Sequence, residues 1–110
     1  MKGFTIKDAA DACNAKIMGI YLADTVLGEI IIDSRLVKQS DMFVAFRGEK
    51  TDGHKYISTA LDKGAACCLA EYVPEGEERC VLVVEDVQSA LERIAGAYRD
   101  TLDIPLIGIT

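Results

Sequence analysis

The sequence predicts an α/β fold: a layered, largely parallel sheet with flanking helices. Three observations carry that expectation. The apolar runs Ala66–Ala70 and Cys80–Val84 are continuous rather than alternating, as in strands covered on both faces. Apolar residues recur at helical spacing in Lys55–Lys63 and again in Val87–Leu102. The later half therefore reads strand, helix, strand, strand, helix, strand, the order of a sheet with helices packed on it.

Taken from the amino end, Thr5 and Asp8 are spaced as a capping box, and Ile6, Ala9, Ala10 and Cys13 share one helical face. Asn14 is the expected stop. A short strand at Lys16–Gly19 follows, then a connection around Ala23–Leu27. Glu29–Asp33 and Met42–Arg47 read as strands, joined by the polar stretch Ser34–Asp41. The loop Gly48–His54 leads into the helix Lys55–Lys63, whose core face is Tyr56, Ile57, Ala60 and Leu61, with Gly64 at its C-terminus. Pro74–Glu78 is an acidic, solvated loop. Asp86 caps the longest helix, and Pro105 opens a last apolar strand, Leu106–Ile109.

At 110 residues and 11.9 kDa, with 50% apolar and 27% charged residues, the chain has the material for one core, and a disordered reading is excluded. Its net charge of −6 argues against general nucleic-acid binding, which needs a basic surface. No apolar run reaches the length of a membrane span and no signal-peptide pattern opens the chain, so a soluble, cytoplasmic domain is expected. Cysteine usage agrees with a reducing compartment. Cys67 and Cys68 are adjacent in a strand and should enter opposite packing layers. With no CxxC pair and His54 as the single histidine, no metal site is expected.

In open α/β sheets ligands sit outside the carboxyl ends of the strands. Two such ends carry polar chemistry here: Asp33-Ser34-Arg35 and Arg47-Gly48. Residues 34–55 carry a net charge of +2 against −8 for the remainder, which suits a small anionic ligand or, more plainly, a solvated surface. Arginine forks match phosphate geometry. Ser34 is either a ligand contact or a turn hydroxyl, and Asp33 either accepts from a ligand or orients Arg35. Asp52-Gly53-His54 precedes a helix and is either an anion-binding turn or a cap. No nucleophile is paired with His54 by any motif, so no catalytic residue is assigned. The chain closes on Ile107-Gly108-Ile109-Thr110, and Gly-Ile-Thr also precedes many phosphate-binding loops. The expectation is a piece of a longer ATP-using protein.

Asp33-Ser34-Arg35, Asp41-Met42-Phe43-Val44-Ala45-Phe46-Arg47-Gly48, Asp52-Gly53-His54, Ala60 and Gly64-Ala65-Ala66, in this order, resemble the amino-terminal domain of the Mur ligases. The likeness is to the subgroup that adds the third amino acid or the terminal D-alanyl-D-alanine to the peptidoglycan precursor. The short Asp103-Ile104-Pro105 link favours the D-alanyl-D-alanine-adding branch, with the third-amino-acid-adding branch as the alternative. One departure is Gln39-Ser40, where the family commonly has Pro-Gly before the Asp.

The resemblance implies that residues 1–104 bind the UDP part of UDP-MurNAc-tripeptide. Residues 105–110 then begin the link into a central ATP-binding domain. It further implies a cytoplasmic ATP-dependent amide ligase that uses ATP and Mg²⁺ at full length, with no cofactor, metal or catalysis in this chain. Nucleic acid and membranes are not expected as partners. Its candidate UDP contacts are Asp33, Ser34, Arg35, Arg47, Gly48, Asp52, Gly53 and His54. A stand-alone α/β nucleotide-sensing or interaction module is the rival reading.

Overall fold

The computed structural model describes residues 3–22, 24–47 and 52–101. Gly48, the link at Asp103-Ile104-Pro105, the expected strand Leu106–Ile109 and the whole segment 105–110 lie outside the described residues.

Helix α1 (Ile6–Cys13) forms where its capping box says it should. The Thr5 hydroxyl accepts the Asp8 N–H at 3.1 Å and the Asp8 carboxylate accepts the Thr5 N–H at 2.9 Å. Such a cap stabilises a helix by about 1 kcal/mol. The helix stops at Asn14, which takes the left-handed conformation with φ 57°. Its buried face is Ile6, Ala9, Ala10 and Cys13.

The strands are β1 (Lys16–Met18), β2 (Ile30–Ile31), β3 (Met42–Val44), β4 (Cys67–Ala70) and β5 (Val81–Val83). They form one sheet in the order β1-β5-β4-β3-β2. Every neighbouring pair is parallel except the β1–β5 pair at one edge, which is antiparallel. The expected mixed α/β class with a largely parallel sheet is therefore the observed one.

Strand alternation divides the core into two layers. Met42, Val44, Cys67, Leu69 and Leu82 face α1 and the long helix α3 (Val87–Thr101), whose Val87, Ala90 and Ile94 are buried there. Phe43, Ala45, Cys68, Ala70 and Val81 face α2 (Ile57–Asp62), through Ile57, Ala60 and Leu61. Cys67 and Cys68 do enter opposite layers. All four cysteines are free and buried, and burial pushes the Cys68 thiol far up. Phe4 meets Tyr98 edge to face at 5.6 Å, tying the start of the chain to α3.

Several expected elements are shorter than their runs, the strand expected over Met42–Arg47 among them, which is Met42–Val44, and two show why. The strand expected over Glu29–Asp33 keeps only Ile30–Ile31, because Asp33 caps a 3₁₀ turn at Ser34–Leu36 and draws the chain out of the ladder. The helix expected over Lys55–Lys63 opens as a 3₁₀ turn at Gly53–Tyr56, with Asp52 capping it, and becomes α-helical only from Ile57.

Ser40 has φ +70° in the turn before β3, a left-handed conformation that costs a side-chain-bearing residue about 1–2 kcal/mol. The turn holds it there: its N–H donates to the Gly64 carbonyl at 2.8 Å and its carbonyl accepts the Gly28 N–H at 2.7 Å. This is the position where the resembled family commonly carries glycine. Ser40→Gly is expected to raise unfolding stability by about 0.5–1 kcal/mol, after allowing for the added freedom of the unfolded chain. Urea denaturation checks this; a lower midpoint at unchanged slope contradicts it.

Candidate functional site

Strands β2 and β3 run side by side in parallel, with Ile30 opposite Met42 and Ile31 opposite Phe43. Their carboxyl ends therefore open on the same edge of the sheet. A cavity of about 580 Å³ lies there, in the range of small-molecule sites. The exit of β2 supplies Ile32, Asp33, Ser34 and Arg35 to its wall. The chain after β3 supplies Phe46, and the following 3₁₀ turn supplies Gly53 and Tyr56. The polar end of β2 thus reaches the cavity, whereas the chain after β3 reaches it through Phe46 and Gly53 and not through Arg47. Phe46, Tyr56 and Ile32 give it an apolar side that sequence reasoning did not assign.

Gly53 is there for backbone packing. A Cβ on it would stand 2.8 Å from the Phe46 carbonyl oxygen and 2.9 Å from the Phe46 nitrogen, and its own N–H donates to that carbonyl at 2.7 Å. The turn is folded directly onto the end of β3. The first N–H groups after Asp52, attractive from sequence as anion ligands, are spent inside this turn. The His54 N–H goes to the Asp52 carboxylate at 3.0 Å and the Lys55 N–H to the Asp52 carbonyl at 3.1 Å.

Both arginines are paired. The Arg35 guanidinium forks onto Asp33, with Nη2 at 2.7 Å and Nε at 3.0 Å, and Asp33 also accepts the Arg35 N–H at 2.9 Å. Those Arg35 hydrogen bonds hold the Asp33 carboxyl down at about 2. Arg47 reaches across to Glu71 at the end of β4, at 2.8 Å, and so lies on the neighbouring strand end rather than on the cavity wall. The positive charge read along residues 34–55 is therefore largely balanced at the two strand ends. The Arg35 side chain is 85% exposed, however, and an exposed ion pair contributes little and is readily exchanged for a ligand.

His54 is buried, at 4% exposure, and does not line the cavity. Its Nδ1 lies 2.6 Å from the Asp52 carboxylate, its Nε2 accepts the Glu71 N–H at 3.0 Å, and its ring stacks on Tyr72 at 4.1 Å. Asp52 is accordingly a cap and a partner for His54, its carboxyl lowered first by the His54 N–H. Of the residues expected at one site, the structure places Asp33, Ser34, Arg35 and Gly53 on the cavity wall. Arg47, Asp52 and His54 do not line it.

A larger cavity, about 680 Å³, lies beyond the end of β5 between Lys16, Glu85, Asp86 and Arg93. Its rim mixes both signs of charge, and none of the candidate UDP contacts lines it.

Residues 27–99 match the family described as Mur ligase family, catalytic domain. The chain belongs to the Mur ligase family. It is 31% identical over 108 residues to the UDP-N-acetylmuramoyl-tripeptide–D-alanyl-D-alanine ligase of Bacillus subtilis, covering 96% of this chain and 24% of that protein. It is 38% identical over 110 residues to the UDP-N-acetylmuramoyl-L-alanyl-D-glutamate–2,6-diaminopimelate ligase of Geobacter metallireducens, covering 96% of this chain and 21% of that one. A crystal structure of MurF from Acinetobacter baumannii superposes with a TM-score of 0.77 at 26% identity, over 89% of this chain and 21% of its own. The chain thus spans about a quarter of the length of the Mur ligases it matches. Two branches of the family are represented among its relatives.

The Asp33–Arg35 fork has a pH signature. A carboxyl held down in the folded state contributes stability above its unfolded value and loses it as pH falls through the folded one. Here that window runs from about 3.8 down to about 2. The expected NMR midpoint of the Asp33 side chain is about 2, returning toward 3.8 in Arg35→Ala. A wild-type midpoint near 3.8 contradicts the fork.

Proposed function

We propose that this chain holds the UDP part of UDP-MurNAc-tripeptide for a ligase that adds D-alanyl-D-alanine to it in peptidoglycan synthesis. The observation that carries the proposal is the cavity at the joined carboxyl ends of β2 and β3, apolar on one side and edged by Ser34 and Arg35 on the other. That combination suits a nucleotide. In this reading the uracil ring packs against the apolar lining of Phe46 and Tyr56, the Ser34 hydroxyl can donate to or accept from a base edge or a phosphate oxygen, and Arg35 offers its fork to the diphosphate. Asp33 holds that fork at the cavity until a phosphate takes it over. Arg47, Asp52 and His54 serve the site by fixing the turn beside it, and Gly48 is kept as a candidate contact.

In this proposal residues 1–104 form the precursor-binding domain, and 105–110 begin the link to an ATP-binding domain in a longer cytoplasmic protein. ATP and Mg²⁺ act there, where the peptide carboxylate is activated as an acyl phosphate before attack by the amine of D-alanyl-D-alanine. No glycine-rich Lys-Thr loop occurs in this chain, so its own part is binding. A second reading, the ligase that adds the third amino acid, is favoured by the 38% identity to the Geobacter metallireducens enzyme. Both readings put the UDP group in the same cavity. No described helix is long and apolar enough to cross a membrane.

Titration of the chain with UDP and UDP-MurNAc is expected to give saturable binding. Charge-assisted hydrogen bonds of the kind Arg35 can offer translate into about a ten- to hundredfold loss of affinity when removed. In the full-length ligase, Arg35→Ala is therefore expected to raise KM for the UDP precursor by that factor, with kcat and the KM for ATP nearly unchanged. Intact precursor binding in Arg35→Ala contradicts the assignment.

A further inference from the structure

Next to the cavity, two chain segments meet at one buried imidazole. His54 sits in the turn that also carries Gly53 and Tyr56, and its exposure is 4%. Its Nδ1 lies 2.6 Å from a carboxylate oxygen of Asp52, which only accepts, so Nδ1 bears the proton. Its Nε2 lies 3.0 Å from the backbone N–H of Glu71, which only donates, so Nε2 is the bare acceptor. One neutral tautomer satisfies both partners. The ring also stacks on Tyr72, nearly parallel at 5°, and the Glu71 side chain is held by Arg47 from the end of β3.

We propose that His54 is a positioning residue: in its neutral, Nδ1-protonated form it bolts the cavity-lining turn to the carboxyl end of β4, and that bolt sets the affinity of the cavity. The turn has no other described side-chain hydrogen bond to β4's end than this one and the weaker contact of the Tyr72 hydroxyl with Asp52 at 3.4 Å. Gly53 and Tyr56 flank His54 in the same 3₁₀ turn, so their placement at the cavity follows that of the imidazole. A second proton on the ring would set Nε2–H against the Glu71 N–H, donor against donor, and undo the link to β4 while keeping the one to Asp52. The charged and titratable groups facing the ring are Asp52 from its own turn and Glu71 and Tyr72 from the end of β4. Arg47, from the end of β3, lies beyond Glu71.

The inference rests on the nucleotide-site reading above, and its test separates the two. In the whole chain, hydrogen exchange at the Glu71 amide reports the bolt, and titration with UDP-MurNAc reports the cavity. His54→Ala is expected to speed Glu71 exchange at least tenfold and to weaken UDP-MurNAc binding about tenfold. His54→Gln, whose side-chain oxygen can still accept the Glu71 N–H, is expected to recover most of both. Should His54→Ala not fold, His54→Phe, which keeps a ring against Tyr72 but cannot accept the Glu71 N–H, serves instead with the same expected rise in Glu71 exchange and in the UDP-MurNAc dissociation constant. Faster Glu71 exchange with affinity unchanged within twofold makes His54 a fold fastener alone and overturns the inference. Absence of saturable binding to the wild type overturns it together with the nucleotide-site reading.

Discussion

The Asp41 carboxylate accepts the Glu29 N–H at 2.9 Å and the Lys38 N–H at 2.8 Å, at the point where β2 and β3 begin. It is 4% exposed, so a charge withdrawn from water is held by two backbone donors. Gly28 leaves room for it, since a Cβ there would stand 2.6 Å from its oxygen. Through these bonds the amino ends of the two strands are tied at one level, Ile30 opposite Met42. Parallel strands that start together finish together. The carboxyl ends, with Asp33-Ser34-Arg35 on one and Phe46 on the other, are thereby brought to the rim of one cavity. Removing the carboxylate would take the partner from both of these part-buried N–H groups.

The opposite end of β3 is organised by a different device. Gly53 lets the following turn lie directly on the Phe46 backbone, and His54 joins that turn to β4. The polar residues of this region thus divide by depth. Asp52, His54 and Glu71 are occupied with one another, whereas Ser34 and the exposed Arg35 remain at the surface of the cavity. Charge alone is a poor guide to such a site: both arginines that made residues 34–55 look positive are held by carboxylates, one of them 24 positions away in sequence.

What could be read in the sequence was local or periodic. The Thr5–Asp8 capping box, the left-handed stop at Asn14 and the division of Cys67 and Cys68 between layers each follow from neighbours within a few residues. The alternation of elements foretold a layered, mostly parallel sheet, and the family's motifs marked both strand ends. The antiparallel partner of β1 and the burial of His54 were not legible, because they depend on β5 and on Glu71, far along the chain. The early end of β2 was written in Asp33, but a cap and a ligand contact have the same sequence. Phe46 and Tyr56 looked like ordinary core residues; only the meeting of two strand ends shows that they face a cavity.

The central claim is that one nucleotide site spans the ends of β2 and β3. Amide chemical-shift mapping of the chain during a UDP-MurNAc titration addresses it most directly. The account predicts that Asp33, Ser34, Arg35, Phe46, Gly53 and Tyr56 shift together along one saturation curve, with Lys16, Asp86 and Arg93 unmoved. Shifts confined to the cavity around Lys16, Asp86 and Arg93, or separate saturation of the β2 and β3 ends, would contradict it.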